Sequence, residues 1–243
     1  CIESKGFSVI CYDSNTEVIN KLNSGVAPFF EPELEKYLYE VISTRSLQCA
    51  SDFESMISQV DVVFVAVGTP SDNGRIDLTQ ISQATQKIAE YIKISNRFIS
   101  IIIKSTVVPG TTIRYVNSIL EKITEKKIGE YGLGMNPEFL REGSAIFDFM
   151  NPDRVVIGYE DEKTKLICDK IYSKWDCKKI HCNTATAEMI KYSNNVLLAT
   201  LISLNNELAN LSSMIGGIDY SDVIEGVISD GRWSVKDSNG KIN

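Results

Sequence analysis

Between residues 7 and 158 the chain repeats one pattern, a short apolar run without polar alternation followed by a longer stretch of helical periodicity. Runs 7–12, 60–67, 98–103, a short one near Leu133, and 154–158 lack a polar face, as strands covered on both sides must. The stretches 16–22, 32–43, 78–94 and 111–124 carry apolar residues at helical spacing. Such a β-α repeat predicts an α/β fold, a doubly wound parallel sheet with helices on both faces.

Near Thr184 the character changes. Residues 185–214 read as one helical pattern with Ile190, Leu197, Leu201, Leu204, Leu208 and Leu211 on its apolar side. This is far longer than the roughly 10–14 residues of an average globular helix. A helix of that length bridges domains or forms a subunit interface, so the boundary is placed at 183, giving segments 1–183 and 184–243. The apolar side is expected to pack on its equivalent in a second copy, as a homodimer or higher homo-oligomer.

Composition narrows the partners. The chain is 43% hydrophobic and 23% charged, an ordinary globular balance. A net charge of −7 repels nucleic acid and anionic membrane, so an anionic ligand must be met by locally placed cations. Cysteines 1, 11, 49, 168, 177 and 182 fall in no metal-ligand spacing. They read as free structural thiols, which predicts a cytoplasmic protein without a metal centre. No apolar stretch of about 18 residues and no signal-peptide pattern is visible.

Reactive residues cluster just beyond the apolar runs, where open α/β sheets bind ligands. Asp13 follows run 7–12, where an acid can hold the ribose hydroxyls of NAD, although Asp is also a common turn former. Val67-Gly68-Thr69-Pro70 ends the next run; Gly68 lets a ligand approach the backbone and Thr69 offers a hydroxyl, or the segment is a plain turn. Lys104-Ser105-Thr106 ends run 98–103, and Pro109-Gly110-Thr111 opens a helix.

Asn136-Pro137-Glu138-Phe139-Leu140-Arg141-Glu142-Gly143 packs two carboxylates, an arginine and a glycine together. If helical, Glu138 and Glu142 share a face, a slightly destabilising pairing that suggests a role beyond stability. An acidic helix start favoured by the macrodipole is the plainer alternative. Lys191 and Asn195, one turn apart on the long helix, can jointly hold an oxyanion or simply form an exposed face. His181, the sole histidine, shows no acid or metal partner in the sequence and reads as structural.

Taken in order, the segments 67–70, 104–107, 136–143, 152–158 and 188–195 follow the motifs of the UDP-glucose/GDP-mannose dehydrogenase family, which the chain resembles over nearly its whole length. The resemblance implies a Rossmann-like NAD-binding domain followed by a helical dimerisation domain. It implies an NAD-dependent enzyme that oxidises the primary alcohol of a nucleotide sugar, UDP-glucose foremost, to the uronic acid by two successive hydride transfers. GDP-mannose and UDP-N-acetylmannosamine are the alternative substrates.

The resemblance also implies roles for residues. Asp13, Gly68, Thr69, Thr106 and Glu142 would line the cofactor. Glu138 would activate the hydrolytic water, with Thr106 and Glu142 helping to position it, and Lys191 and Asn195 would hold the oxyanion. Substrate would meet Glu138, Phe139, Leu140, Arg141, Glu142, Lys191 and Asn195, with Arg232 supplied from a neighbouring subunit. Trp233-Ser234 departs from the Ile-Gly that relatives often carry after that arginine.

The family's glycine-rich dinucleotide loop would precede Cys1, and its nucleophilic cysteine would follow Asn243. The resemblance therefore implies truncation at both ends, and none of the six cysteines is assigned as nucleophile. Without that segment the chain would act as a binding or dimerisation module. A β-hydroxyacid dehydrogenase of the 6-phosphogluconate type shares the domain order but is a weaker match, because it lacks the 136–143 segment.

Overall fold

The computed structural model describes residue 2 and residues 5–233. Cys1, Ser234 and the end of the 184–243 segment after it, singled out above, lie outside the described residues. The chain divides into two compact units, 1–192 and 193–243.

In the first unit the elements run β1 (Val9–Tyr12), α1 (Thr16–Asn23), α2 (Leu34–Ser43), β2 (Leu47–Ala50), α3 (Phe53–Ile57), β3 (Val62–Val65), β4 (Ser71–Asp72), β5 (Arg75–Ile76) and α4 (Thr79–Ile94). They continue through β6 (Ser100–Ile103), a π-turn at Thr111–Val116, α5 (Asn117–Thr124), β7 (Gly132–Met135), α6 (Ala145–Met150), β8 (Arg154–Tyr159), α7 (Glu162–Tyr172) and β9 (Lys178–Cys182). Helix α8 (Thr184–Ile215) crosses into the second unit, which also contains α9 (Tyr220–Ile228).

Five strands form the main sheet in the order β3-β6-β7-β8-β9, and β1 pairs with β2 separately. The pairings β1-β2, β3-β6, β6-β7 and β8-β9 are parallel, as the apolar runs predict. β7 and β8, however, run antiparallel, with Met135 opposite Gly158. The connection between them, residues 136–153, is mostly loop and carries only the six-residue helix α6. Ile101, Ile102 and Ile103 in β6, between β3 and β7, are fully buried. One core cluster gathers Ile81, Ile88, Ile92, Leu120 and Leu133 on one side, and a second gathers Ile102, Ile157, Tyr172 and Trp175.

Several elements were not read from the sequence, α3, α6 and α9 among them. β2 is four residues long, the β4-β5 hairpin is shorter still, and α7 is rich in charge, so periodicity is weak in each. β9 mixes half-buried with exposed residues and opens on two lysines, so its signal is weak as well. Stretch 111–124 is helical as expected but opens as a π-turn after Gly110, whose φ of 92° requires a glycine.

In the second unit, α8 is apolar on more than one side. Val196, Leu197, Leu198, Leu201, Ile202, Leu204, Leu208 and Leu211 are all exposed. Among the described residues no helix is long and apolar enough to cross a membrane.

Candidate active site

The loops leaving β3 and β6 are stitched together by hydroxyls. Thr69 Oγ1 donates to the carbonyl of Thr106 at 2.8 Å, and Ser105 Oγ donates to that of Val67 at 2.6 Å. The Gly68 N–H donates to Gln80 Oε1 at 3.1 Å, and a Cβ added there would meet nothing closer than that side chain at 3.5 Å. A ligand approaching the backbone at Gly68 would therefore have to displace the Gln80 side chain. Asp13 ends β1 in an Asx-turn, Oδ1 accepting from the Asn15 N–H at 2.8 Å, while Asn15 in turn caps α1. One carboxylate oxygen thus does the turn-forming task that the plain reading of Asp13 proposes.

Residues 136–144 are not helical, so Glu138 and Glu142 do not share a helix face; α6 begins only at Ala145. Pro137 disfavours helical backbone at Asn136, Gly143 turns at φ 83°, and the N–H groups a helix would use are taken by side chains. Leu140 N–H donates to Glu138 Oε2 at 2.6 Å. Those of Gly143 and Ala145 donate to Glu31 at 3.0 and 2.7 Å. Arg141 grips Asp148 through Nε at 3.0 Å and Nη2 at 2.6 Å, so its guanidinium is already engaged by a carboxylate.

Asn136 anchors this loop. It is 2% exposed. Its N–H donates to Ile103 O at 2.9 Å and its Nδ2 to Val156 O at 2.8 Å. Its Oδ1 accepts from the Tyr172 hydroxyl and, at 3.0 Å, from Lys104 Nζ.

Lys191 and Glu138 are brought together. Lys191 is 6% exposed, which excludes the exposed-face reading, and its Nζ donates to Glu138 Oε1 at 2.8 Å. The Phe139 ring lies 5.3 Å from that ammonium and 4.1 Å from the Arg154 guanidinium. Burial alone would push the Glu138 carboxyl up, but the bonds from Lys191 and the Leu140 N–H outweigh it and hold the pKa below the usual range.

The start of α8 is tied down beside the pair. Thr184 N–H donates to Glu160 Oε1 at 3.0 Å, and buried Glu188 accepts from the Thr112 N–H at 2.8 Å and from that of Gly110. Burial raises the Glu188 pKa despite these bonds. Asn195 and Arg232 belong to the second unit; Asn195 is exposed, and Arg232 Nε donates to Asp230 at 2.9 Å.

Sequence reasoning did not single out Glu31 or Tyr172, and it quoted Lys104 and Glu188 within motifs without giving either a role. The one visible signal was a lysine directly after four buried strand residues. His181 does have an acid neighbour, contrary to the sequence reading: its Nε2 is 3.3 Å from Asp169 Oδ1 on α7, and its ring meets the edge of Tyr159. Cys11, Cys49, Cys168, Cys177 and Cys182 are free. Burial raises the thiol pKa of Cys11 and Cys182, that of Cys49 to about 11 and that of Cys168 to about 12, so these four stay protonated and unreactive near neutrality.

A carboxylate paired with a buried ammonium offers a proton acceptor and an oxyanion donor in one place. Residues 1–176 match the NAD binding domain of the UDP-glucose/GDP-mannose dehydrogenase family, and residues 185–240 match its central domain. The chain is 38% identical over 235 residues to UDP-glucose 6-dehydrogenase TuaD of Bacillus subtilis, covering 96% of this chain and 49% of that protein. It is 35% identical over 232 residues to GDP-mannose 6-dehydrogenase of Pseudomonas syringae, covering 95% and 53%. A crystal structure of a ternary complex of GDP-mannose dehydrogenase from Pseudomonas aeruginosa superposes with a TM-score of 0.92 at 35% identity, covering 96% of this chain and 53% of that one. The chain thus spans about half the length of the curated relatives it matches.

Proposed function

The chain belongs to the UDP-glucose/GDP-mannose dehydrogenase family, and from that premise we propose that it forms the NAD-binding domain and the opening of the central domain of a nucleotide-sugar 6-dehydrogenase. The substrate read from the resemblance is UDP-glucose, with GDP-mannose and UDP-N-acetylmannosamine as alternatives. The domain boundary is placed at 183, and the protein is assigned to the cytoplasm. The observation that carries the reading is the Glu138–Lys191 pair at 2.8 Å, because acid–base and oxyanion chemistry both need groups held in one water-poor place.

The cofactor side fits NAD. Asp13, Gly68, Thr69 and Thr106 all follow the carboxyl ends of parallel strands, with only the Gln80 side chain against Gly68 and one Asp13 oxygen left outside the turn. NAD, when bound, supplies the hydride acceptor.

The chain's own residues do the rest. In the resting pair each partner neutralises the other, so Glu138 is a weak base while Lys191 donates to it. An oxyanion forming on the reacting carbon would draw the ammonium away and release the carboxylate to take a proton from water. Asn195, one turn further along α8, is assigned to the same oxyanion by the resemblance. Glu142 and Thr106 are assigned to the water and cofactor side. The backbone of Phe139 to Glu142 is assigned to the substrate. Arg141 would have to leave Asp148 to reach a phosphate, whereas Arg232, exposed and tied only locally, is the arginine assigned to a neighbouring subunit's substrate.

In the full-length protein, two NADH are expected per nucleotide sugar consumed, measured at 340 nm against sugar loss; one NADH per sugar would refute four-electron oxidation. The exposed apolar surface of α8 supports a homodimer or larger assembly. Charged substitutions at two of Leu197, Leu201 and Leu204 are expected to yield monomers. Unchanged mass by light scattering in folded protein would count against that assembly.

A further inference from the structure

The mechanism above makes no use of Lys104, whose ammonium is bound to Asn136 at the root of the loop that carries Glu138. It follows the last residue of β6, is partly buried, and donates from Nζ to both the backbone carbonyl and Oδ1 of Asn136, at 3.1 and 3.0 Å. Asn136 precedes Glu138 by two residues, separated by the rigid Pro137, so what holds Asn136 also aims Glu138. The charged or titratable groups facing Lys104 are Glu138 from the loop, Lys191 from α8, and Cys168 and Tyr172 from α7.

A neutral donor could tie down Asn136 without the cost of removing an ammonium from water. A lysine here does something more: its charge acts on Glu138 across the loop.

We propose that Lys104 is a positioning residue for Glu138, clamping Asn136 and supplying the second positive charge that keeps the Glu138 carboxylate ionised when Lys191 turns to the substrate. Burial lowers the Lys104 pKa to about 8, with Lys191 adding to the effect and Glu138 opposing it, so the charge is present at neutral pH and fades above it. This inference rests on the reading of Glu138 as the base.

The test is a titration of the Glu138 carboxyl by carbon-13 NMR of glutamate-labelled full-length protein, the signal assigned by its absence in Glu138→Gln. Lys104→Gln keeps an N–H donor and removes the charge, Lys104→Met removes both, and Lys104→Arg keeps the charge. The Glu138 midpoint is expected to move to higher pH in the Gln and Met variants and to stay near its original position in the Arg variant. With sugar and NAD, the acid limb of kcat should move the same way, with little change in KM for the sugar. An unmoved midpoint in Lys104→Gln, or equal movement in the Gln and Arg variants, would overturn the proposal. So would loss of the fold in both neutral variants while Lys104→Arg folds, since Lys104 would then be a structural cation only. The NMR titration needs no turnover. A protein that shows the shift yet reduces no NAD with any nucleotide sugar would refute the dehydrogenase reading and leave the charge assignment standing.

Discussion

Glu138→Gln in the full-length protein is expected to halt the reaction at a thioester on its nucleophilic cysteine, visible as a mass increase in intact-protein spectrometry. General-base catalysis usually contributes about a hundredfold to ten-thousandfold, so hydrolysis should slow by that range while the earlier oxidation survives. Geometry favours this substitution as a clean test. Glutamine retains one oxygen to accept from Lys191, now at 2.8 Å, so the start of α8 need not move when basicity is lost.

Lys191→Ala should behave differently, because an oxyanion must be stabilised before any thioester exists. Losing one such donor costs about a hundredfold to a thousandfold in kcat, and little adduct should be trapped. Wild-type turnover by Glu138→Gln, or equal adduct in the two variants, would sink the division of roles. The pair also sets the pH dependence. The Glu138 pKa is held below the usual carboxylate range, so the base is lost only as pH falls through that lowered value, and the acid limb should rise toward ordinary carboxylate values in Lys191→Ala.

The second large effect is expected at a position with no chemistry. Gly158 lies where the start of α8 crosses β8, and a Cβ there would stand 2.8 Å from Ala187 Cβ, 3.0 Å from Thr184 Cα and 3.2 Å from Asn183 O. Two of these are backbone atoms, which cannot rotate away. Gly158→Val should therefore lower the unfolding free energy by about 1–3 kcal/mol, the usual cost of overpacking, and should displace the turn of α8 that carries Lys191. Gly226 in α9 provides the contrast, since a Cβ there meets nothing within 4 Å. Gly226→Ala should gain about 0.4–1 kcal/mol through reduced freedom of the unfolded chain. Denaturant midpoints of the two variants check both; an unchanged midpoint for Gly158→Val would mean that α8 is not packed on β8 as described.

Much of this architecture was legible because its causes are local. A short β-branched apolar run such as 98–103 fits a strand covered on both faces, and the regular leucines of 185–214 fit a long helix, so run length and periodicity together placed β6 and α8. The same locality put Gly68, Thr69, Thr106 and the 136–143 segment at strand ends, since reactive residues followed the apolar runs directly. It failed where the signal was short or mixed, as in β2 and β9.

By itself, then, the sequence determined the alternation of strands and helices, the length of α8, and which segments hold the chemistry. Tertiary structure decided how those segments meet. β8 runs antiparallel to β7, a direction that neither apolar run encodes. Residues 136–144 stay open because Glu31, from more than a hundred positions earlier, takes the N–H of Gly143 that a helix would have used. Lys191 reaches Glu138 across 53 positions, and Lys104 reaches Asn136 across 32. Each of these contacts joins groups with no mutual periodicity, and whether a lysine is solvated or paired depends on what the folded sheet brings beside it.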